Sequence, residues 1–292
     1  MKVLVLGEHG QLAQALAYSQ PAQLKVTYLG RSGLVPLNQA QLNSQLDAAA
    51  PDLIINAAAW TDVDLAELAT EQCSLLNTQL VRWLVQWASA LGTPLIHIST
   101  DYVFNGLSTE PYTEEVRVSP LNQYGASKLA AEQHLLLSYA QHSLILRTSW
   151  LYSGFGSNFL VKLLAILQKE PQQKVSMVTD QWGSPTSALD FAERIWQLVL
   201  QPFRPGLYHY AGPQCVSRFE FATFIVQRAL HAGLLAGKVE FSPVRLNSFA
   251  ATAKRPLYSC LDSSLLLGIQ GWSQLGLSAD IDRELQVLCR PE

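Results

Sequence analysis

Apolar positions in the first half of the chain come in short unbroken runs rather than alternating ones. Residues 2–6, 25–29, 53–56, 95–99 and 143–147 are rich in Val, Ile and Leu, the pattern of strands covered on both faces. Between them, residues 11–19, 39–49, 67–91 and 127–140 carry apolar side chains at helical spacing. Strand and helix alternate, and that order predicts a doubly wound parallel sheet with helices on both sides. After Trp150 the texture changes, with more Gly and Pro, helices expected at 158–168, 189–200 and 218–232, and a loop-rich tail. The reading is therefore an α/β fold. Residues 1–150 are expected to form a first domain, and 151–292 mainly a smaller lobe packed on it, with some segments returning to the first domain.

Composition narrows the functional classes. At 49% hydrophobic and 15% charged residues, with a mean hydropathy of +0.12, the chain is globular, and no uncharged apolar run reaches the ~18 residues of a membrane span. Net charge is −3 and the cations are scattered, which argues against a nucleic-acid polymer as partner. The four cysteines, Cys73, Cys215, Cys260 and Cys289, lie far apart without Cys-x-x-Cys spacing. Separate idle thiols in a reducing cytoplasm are expected.

Candidate chemistry begins after the first run. Gly7-Glu8-His9-Gly10-Gln11-Leu12-Ala13 opens a helix directly after a strand, where glycines admit a pyrophosphate to the free N–H groups of the helix start. The second run ends in Gly30-Arg31-Ser32 instead of the acid that binds a ribose diol. Arg31 suits a 2′-phosphate, so NADPH is expected over NADH, with NADH still possible. Tyr124 and Lys128 stand four apart on a helix begun after Ser119-Pro120, and an ammonium on the same face lowers the pKa of a phenol.

Together with Asn56-Ala57-Ala58-Ala59 and Ser99-Thr100-Asp101-Tyr102-Val103-Phe104, these motifs resemble the extended short-chain dehydrogenase/reductases of Rossmann fold. Within them the chain is similar to the dTDP-4-dehydrorhamnose reductases over nearly its whole length. Arg147-Thr148-Ser149-Trp150, Ser157-Asn158-Phe159, residues 180–186 and Arg255-Pro256 carry that narrower likeness. The resemblance implies Tyr124 as the acid, Lys128 as the residue that holds the nicotinamide ribose, and Thr100 as the group that orients the substrate carbonyl. Gly7, Gly10, Gln11, Leu12, Arg31, Ala57, Ala58, Ala59 and Thr61 would line the coenzyme. Asp101, Trp150 and Asn158 would lie on the nucleotide-sugar side.

It also implies reduction of the 4-keto group of dTDP-4-dehydro-β-L-rhamnose. The rivals are another nucleotide-sugar reductase or dehydratase, and a non-catalytic NADP-binding regulatory subunit like that of methionine adenosyltransferase. Some relatives form metal-bridged dimers. Ala13-Gln14-Ala15-Leu16 offers no carboxylate for that, so no metal site is expected, and the chain should be a monomer or a weak metal-independent homodimer. Asp64 and Glu67 are expected to charge a helix start, and His97 to be a satisfied core residue.

Overall fold

The computed structural model describes residues 1–30, 38–170 and 174–290. Arg31 and Ser32, on which the coenzyme expectation rests, lie outside the described residues. The five expected strands form as β1 (Lys2–Leu6), β2 (Lys25–Leu29), β3 (Leu53–Asn56), β4 (Leu95–Thr100) and β5 (Ser143–Thr148). A sixth, Gly206–His209, extends the same parallel sheet beyond β5. Its Gly206 and its partly exposed side chains hide it from an apolar-run criterion.

The sheet order places β1 between β2 and β3, and the chain then runs on through β4, β5 and the sixth strand. The direction of progress reverses at the β1/β3 junction, where doubly wound sheets leave a crevice at their carboxyl ends. Alternate side chains on each strand feed two cores. Val3, Val5, Ile55, Ile96, Leu144 and Leu146 pack with α1 (Gln11–Tyr18). Leu4, Leu6, Ile54, Leu95 and Ile145 pack on the opposite face, with Leu42 and Leu46 of α2 (Gln39–Ala49) among their neighbours.

The long helix expected over 67–91 is interrupted. It runs as α3 (Val63–Leu68), α4 (Thr70–Ser74), a π turn over Leu75–Gln79, and α5 (Leu80–Ser89). The π turn carries Asn77 into the interior, where its amide grips both the N–H and the carbonyl of Trp60. Such bulges commonly mark functional sites. The catalytic-motif helix α6 begins earlier than expected, at Gln123 (Gln123–Ser138), because the Asn122 side chain caps it by accepting from the Gly125 N–H at 2.8 Å.

A third core gathers around Trp150, Tyr152 and Phe221, using α7 (Phe159–Lys169), α9 (Arg218–His231) and α11 (Leu277–Leu288), which follows α10 (Ser264–Gln270). Between α7 and α9, α8 (Ala188–Val199) turns back onto α1 and joins the first core. The tail is loop-rich over residues 233–263, as expected, but it ends in α10 and α11, which the sequence reading did not place. Leu277, Ile281 and Leu285 form an apolar stripe, but Asp280 and Glu284 are buried beside it, which blurs the amphipathic signal. Cys215 and Cys260 also depart from the expectation of idle thiols: they are joined in a disulfide, Cα–Cα 5.5 Å, across 45 residues. Cys73 and Cys289 are free. No helix among the described residues is long and apolar enough to cross a membrane.

One buried ion pair locks α6 to the sheet. Glu132 accepts from Arg147 Nε at 2.9 Å and Nη2 at 2.6 Å, and also from the Ser99 hydroxyl. Both side chains are almost wholly excluded from solvent, so removing one leaves the other charged and unpaired. Glu132→Ala is expected to cost about 3–5 kcal/mol of unfolding free energy, measured by urea denaturation. A loss below about 1 kcal/mol, the value of an exposed pair, would contradict that reading.

Candidate active site

The turn after β1 is shaped for an anion. Gly7 has φ +103°, and a Cβ there would meet Ala57 C and Ala58 N at 2.9 Å, so the β1 and β3 turns touch only because this side chain is absent. No side chain caps α1, and its first turn holds no acid. The N–H groups of Gln11 and Leu12 therefore face a region of unopposed positive dipole. The Gln11 side chain is committed elsewhere, donating to Leu151 O at 3.1 Å and accepting from the Ser153 hydroxyl. Leu12 is core. For both residues only the backbone N–H is left to offer.

Across the crevice, Ala57, Ala58 and Ala59 leave the end of β3. Asn56 Oδ1 accepts the Ala58 N–H at 3.2 Å, and Asn77 holds Trp60. Thr61 at the end of this turn is exposed. These contacts fix a small-side-chain loop opposite the glycine turn, and together the two provide a cradle that fits a dinucleotide pyrophosphate.

Thr100 ends β4, and its hydroxyl donates to Asp101 Oδ1 at 3.1 Å while accepting the Tyr102 N–H. Ser149 donates to Asp101 Oδ2 at 3.0 Å. Burial raises the Asp101 carboxyl above its usual range, against the pull of hydrogen bonds from Ser259, Ser149 and Thr100. Burial pushes the pKa of the Tyr124 phenol upward, against a smaller opposing pull from the nearby Thr100 hydroxyl. Here the structure corrects the expectation of a lowered phenol. Lys128 Nζ donates to Ile98 O at 2.6 Å and lies 3.2 Å from His97 Nε2. Burial, offset in part by the Glu132 and Cys73 charges, brings Lys128 down to about 8.

The residues expected on the sugar-nucleotide side have contacts of their own. Trp150 follows β5 with φ +44°, a strained conformation for a bulky residue. Its indole lies so close to Gly183 that a Cβ there would meet the ring at 2.3 Å. The Arg218 guanidinium sits 3.6 Å over the ring, so the expected aromatic wall is covered by a cation, while Trp150 Nε1 is buried without a partner among the described residues. Asn158 spends its whole amide on the turn, donating to Ser153 O and Phe155 O and capping α7.

Sequence reading missed Arg218. Burial lowers its pKa to about 10, with Asp101 and Tyr102 opposing, and nothing local in the sequence foretells that position at the start of α9. Asp64 and Glu67, expected to charge a helix start, do more than that. Asp64 pairs with Arg255 at 2.5 Å and accepts the Ala253 N–H, and Glu67 accepts the Gln123 N–H. Both tie loops around α6.

The chain matches the sequence model of the RmlD substrate binding domain over residues 1–280. It is 34% identical over 268 residues to a dTDP-4-dehydrorhamnose reductase of Aggregatibacter actinomycetemcomitans, covering 89% of this chain and 90% of that one. Among solved structures, a dTDP-4-dehydrorhamnose reductase from Clostridium acetobutylicum superposes with a TM-score of 0.90 at 28% identity, over 99% of both chains. One from Bacillus anthracis, in complex with NADP, gives 0.88 at 33% identity over 98% of each.

The two glycines of the turn should behave differently. Gly7→Ala places a side chain at positive φ against backbone and is expected to cost more than ~1 kcal/mol of stability. Gly10→Ala, whose Cβ meets only the Gly7 carbonyl at 3.1 Å, should stay within about 0.5 kcal/mol. Urea denaturation without ligand separates them, and equal losses would refute the close approach of the two turns.

Proposed function

The chain belongs to the dTDP-4-dehydrorhamnose reductase family, and from that premise we propose that it reduces the 4-keto group of dTDP-4-dehydro-β-L-rhamnose to give dTDP-β-L-rhamnose, with NADPH as coenzyme. The observation that carries the reading is the placing of the Thr100 hydroxyl, at the carboxyl end of β4, beside the buried Tyr124 phenol. It supports a site in which one hydroxyl holds a carbonyl oxygen and the other gives it a proton.

When bound, NADPH supplies the hydride. The Gly7–Leu12 turn and Ala57, Ala58, Ala59 and Thr61 would hold its phosphates and ribose, and Lys128 would reach its nicotinamide ribose. The protein's own part is then orientation and proton supply. Thr100 positions the carbonyl oxygen, and the Tyr124 phenol gives it a proton, the role of a general acid. Burial holds the phenol protonated at neutral pH, which suits a donor. Arg218 presents positive charge to the diphosphate side of the substrate, and Asp101, Trp150 and Asn158 shape the sugar side. Residues 1–150 would carry the coenzyme and 151–292 mainly the substrate. The chain would act as a monomer or a weak metal-independent homodimer in the cytoplasm, since the first turns of α1 hold no carboxylate for a bridging cation.

Tyr124→Phe should bind NADPH within about threefold of wild type yet lose about two to four orders of magnitude in turnover, read by NADPH oxidation on the 4-keto sugar. Turnover near that of the wild type would remove Tyr124 from the chemistry. Arg31→Ala should weaken NADPH by about 1.5–3 kcal/mol and leave NADH nearly unchanged. Equal losses in a fluorescence titration would show that Arg31 does not read the 2′-phosphate.

A further inference from the structure

His97 sits inside β4 with no exposed surface, and both of its ring nitrogens are engaged. Nδ1 lies 3.1 Å from Asn56 Nδ2, and Nε2 lies 3.2 Å from Lys128 Nζ. The orientation of Asn56 decides which nitrogen carries the proton. Asn56 Oδ1 is taken by the Ala58 N–H at 3.2 Å, and that backbone group can only donate. The amide NH₂ therefore faces the imidazole, and Nδ1 must accept. A neutral imidazole carries a single proton, which is then on Nε2 and aimed at Lys128.

That arrangement has a consequence for Lys128. An ammonium has three N–H bonds and no lone pair, so it cannot accept from His97 Nε2–H, whereas a neutral amine can. Burial holds the His97 ring well below its usual pKa, so the imidazole stays neutral. The other groups facing Lys128 are the Ile98 carbonyl on β4, Cys73 on α4, and Glu132 one turn along α6. Glu132 is already committed to Arg147 and Ser99.

We propose that His97 is a positioning residue for Lys128: its Nε2–H, fixed in that tautomer by Asn56, supports the neutral amine and so sets the pH at which Lys128 can give up a proton. The inference rests on the reductase reading and deepens it. Once Tyr124 has given its proton to the substrate oxygen, it is left as a phenolate. One Lys128 N–H bond then breaks and its proton passes to an intervening water, which gives one of its own to the phenolate oxygen to re-form the O–H bond, and the amine keeps the electron pair. His97 Nε2–H is in place to donate to that new lone pair, and Asn56 links the same unit to the Ala57–Ala59 turn.

The tautomer is read on the substrate-free protein by long-range ¹H–¹⁵N correlation of ¹⁵N-histidine-labelled chain, the His97 signals being assigned by their loss in His97→Gln. Wild type should show Nε2–H. Asn56→Asp, which puts an acceptor opposite Nδ1, should place a proton there. An Nδ1–H tautomer in wild type would overturn the proposal, whatever the variants do.

Kinetics provide the second reading. Gln extends a nitrogen to about the Nε2 position, while Asn reaches only the Nδ1 position. In His97→Asn the alkaline limb of kcat should move up by about one pH unit, a tenfold change in the Lys128 proton equilibrium, while the NADPH Kd stays within about threefold. His97→Gln should restore the wild-type limb. A merely structural His97 would lower the melting temperature and leave the limb in place in both variants, and that result would also overturn the proposal. Should His97→Asn not fold, the two tautomer measurements still decide. Wild-type protein that leaves the 4-keto sugar unreduced would sink the reductase reading and leave the tautomer result standing, so the two failures are distinguishable.

Discussion

Everything at the carboxyl end of the sheet depends on a carboxylate and a guanidinium that meet inside the protein. Arg147 on β5 is buried, a buried guanidinium is costly without an anion beside it, and Glu132 on α6 is that anion. Because Glu132 is one turn beyond Lys128 and two beyond Tyr124, the pair fixes the rotation of α6 as well as its distance from the sheet. The same guanidinium stacks over the Phe104 ring, with its carbon 5.2 Å from the centroid, and meets His209 Nε2 at 3.3 Å. His209 Nδ1 faces the Tyr112 carbonyl, which only accepts, so Nε2 is a lone pair turned to the arginine. Desolvation and Arg147 push the His209 pKa down to about 3, which keeps that lone pair free. A single buried cation thus organises β4, β5, the sixth strand and α6.

The parts of this fold legible in the sequence are those set by local pattern. Five strands appear where apolar runs occur, because a strand buried on both faces has no other way to be written. The sixth strand does not, since its register is imposed by β5 and not by its own side chains. The π turn was invisible for a related reason: it is held by Asn77 reaching Trp60, two residues that only the fold brings together. The disulfide joins Cys215 and Cys260 through loops from different parts of the second lobe, and no spacing rule encodes that meeting.

The site divides in the same way. Gly7, Thr100, Tyr124 and Lys128 stand in motifs whose spacing carries their meaning, and the structure places Gly7 and Thr100 at the carboxyl ends of β1 and β4 and the other two on α6. What spacing could not give is direction. Tyr124 and Lys128 share a helix face, yet the lysine's hydrogen bonds go to Ile98 and His97, and burial is the largest influence on the phenol. Arg218 arrives over Trp150 from the far end of the chain, and only the third core explains its position.

Helix α8 shows what such long-range closure demands of synthesis. Ala188, Phe191, Ile195 and Trp196 cover the apolar face that α1 shares with β1, and the Trp196 indole donates to Leu16 O at 3.0 Å. The first helix made is therefore sealed by one made some 180 residues later. Until about residue 200 has left the ribosome, Leu12 and Leu16 remain uncovered, a nascent apolar surface of the kind that chaperones recognise and that invites association between growing chains.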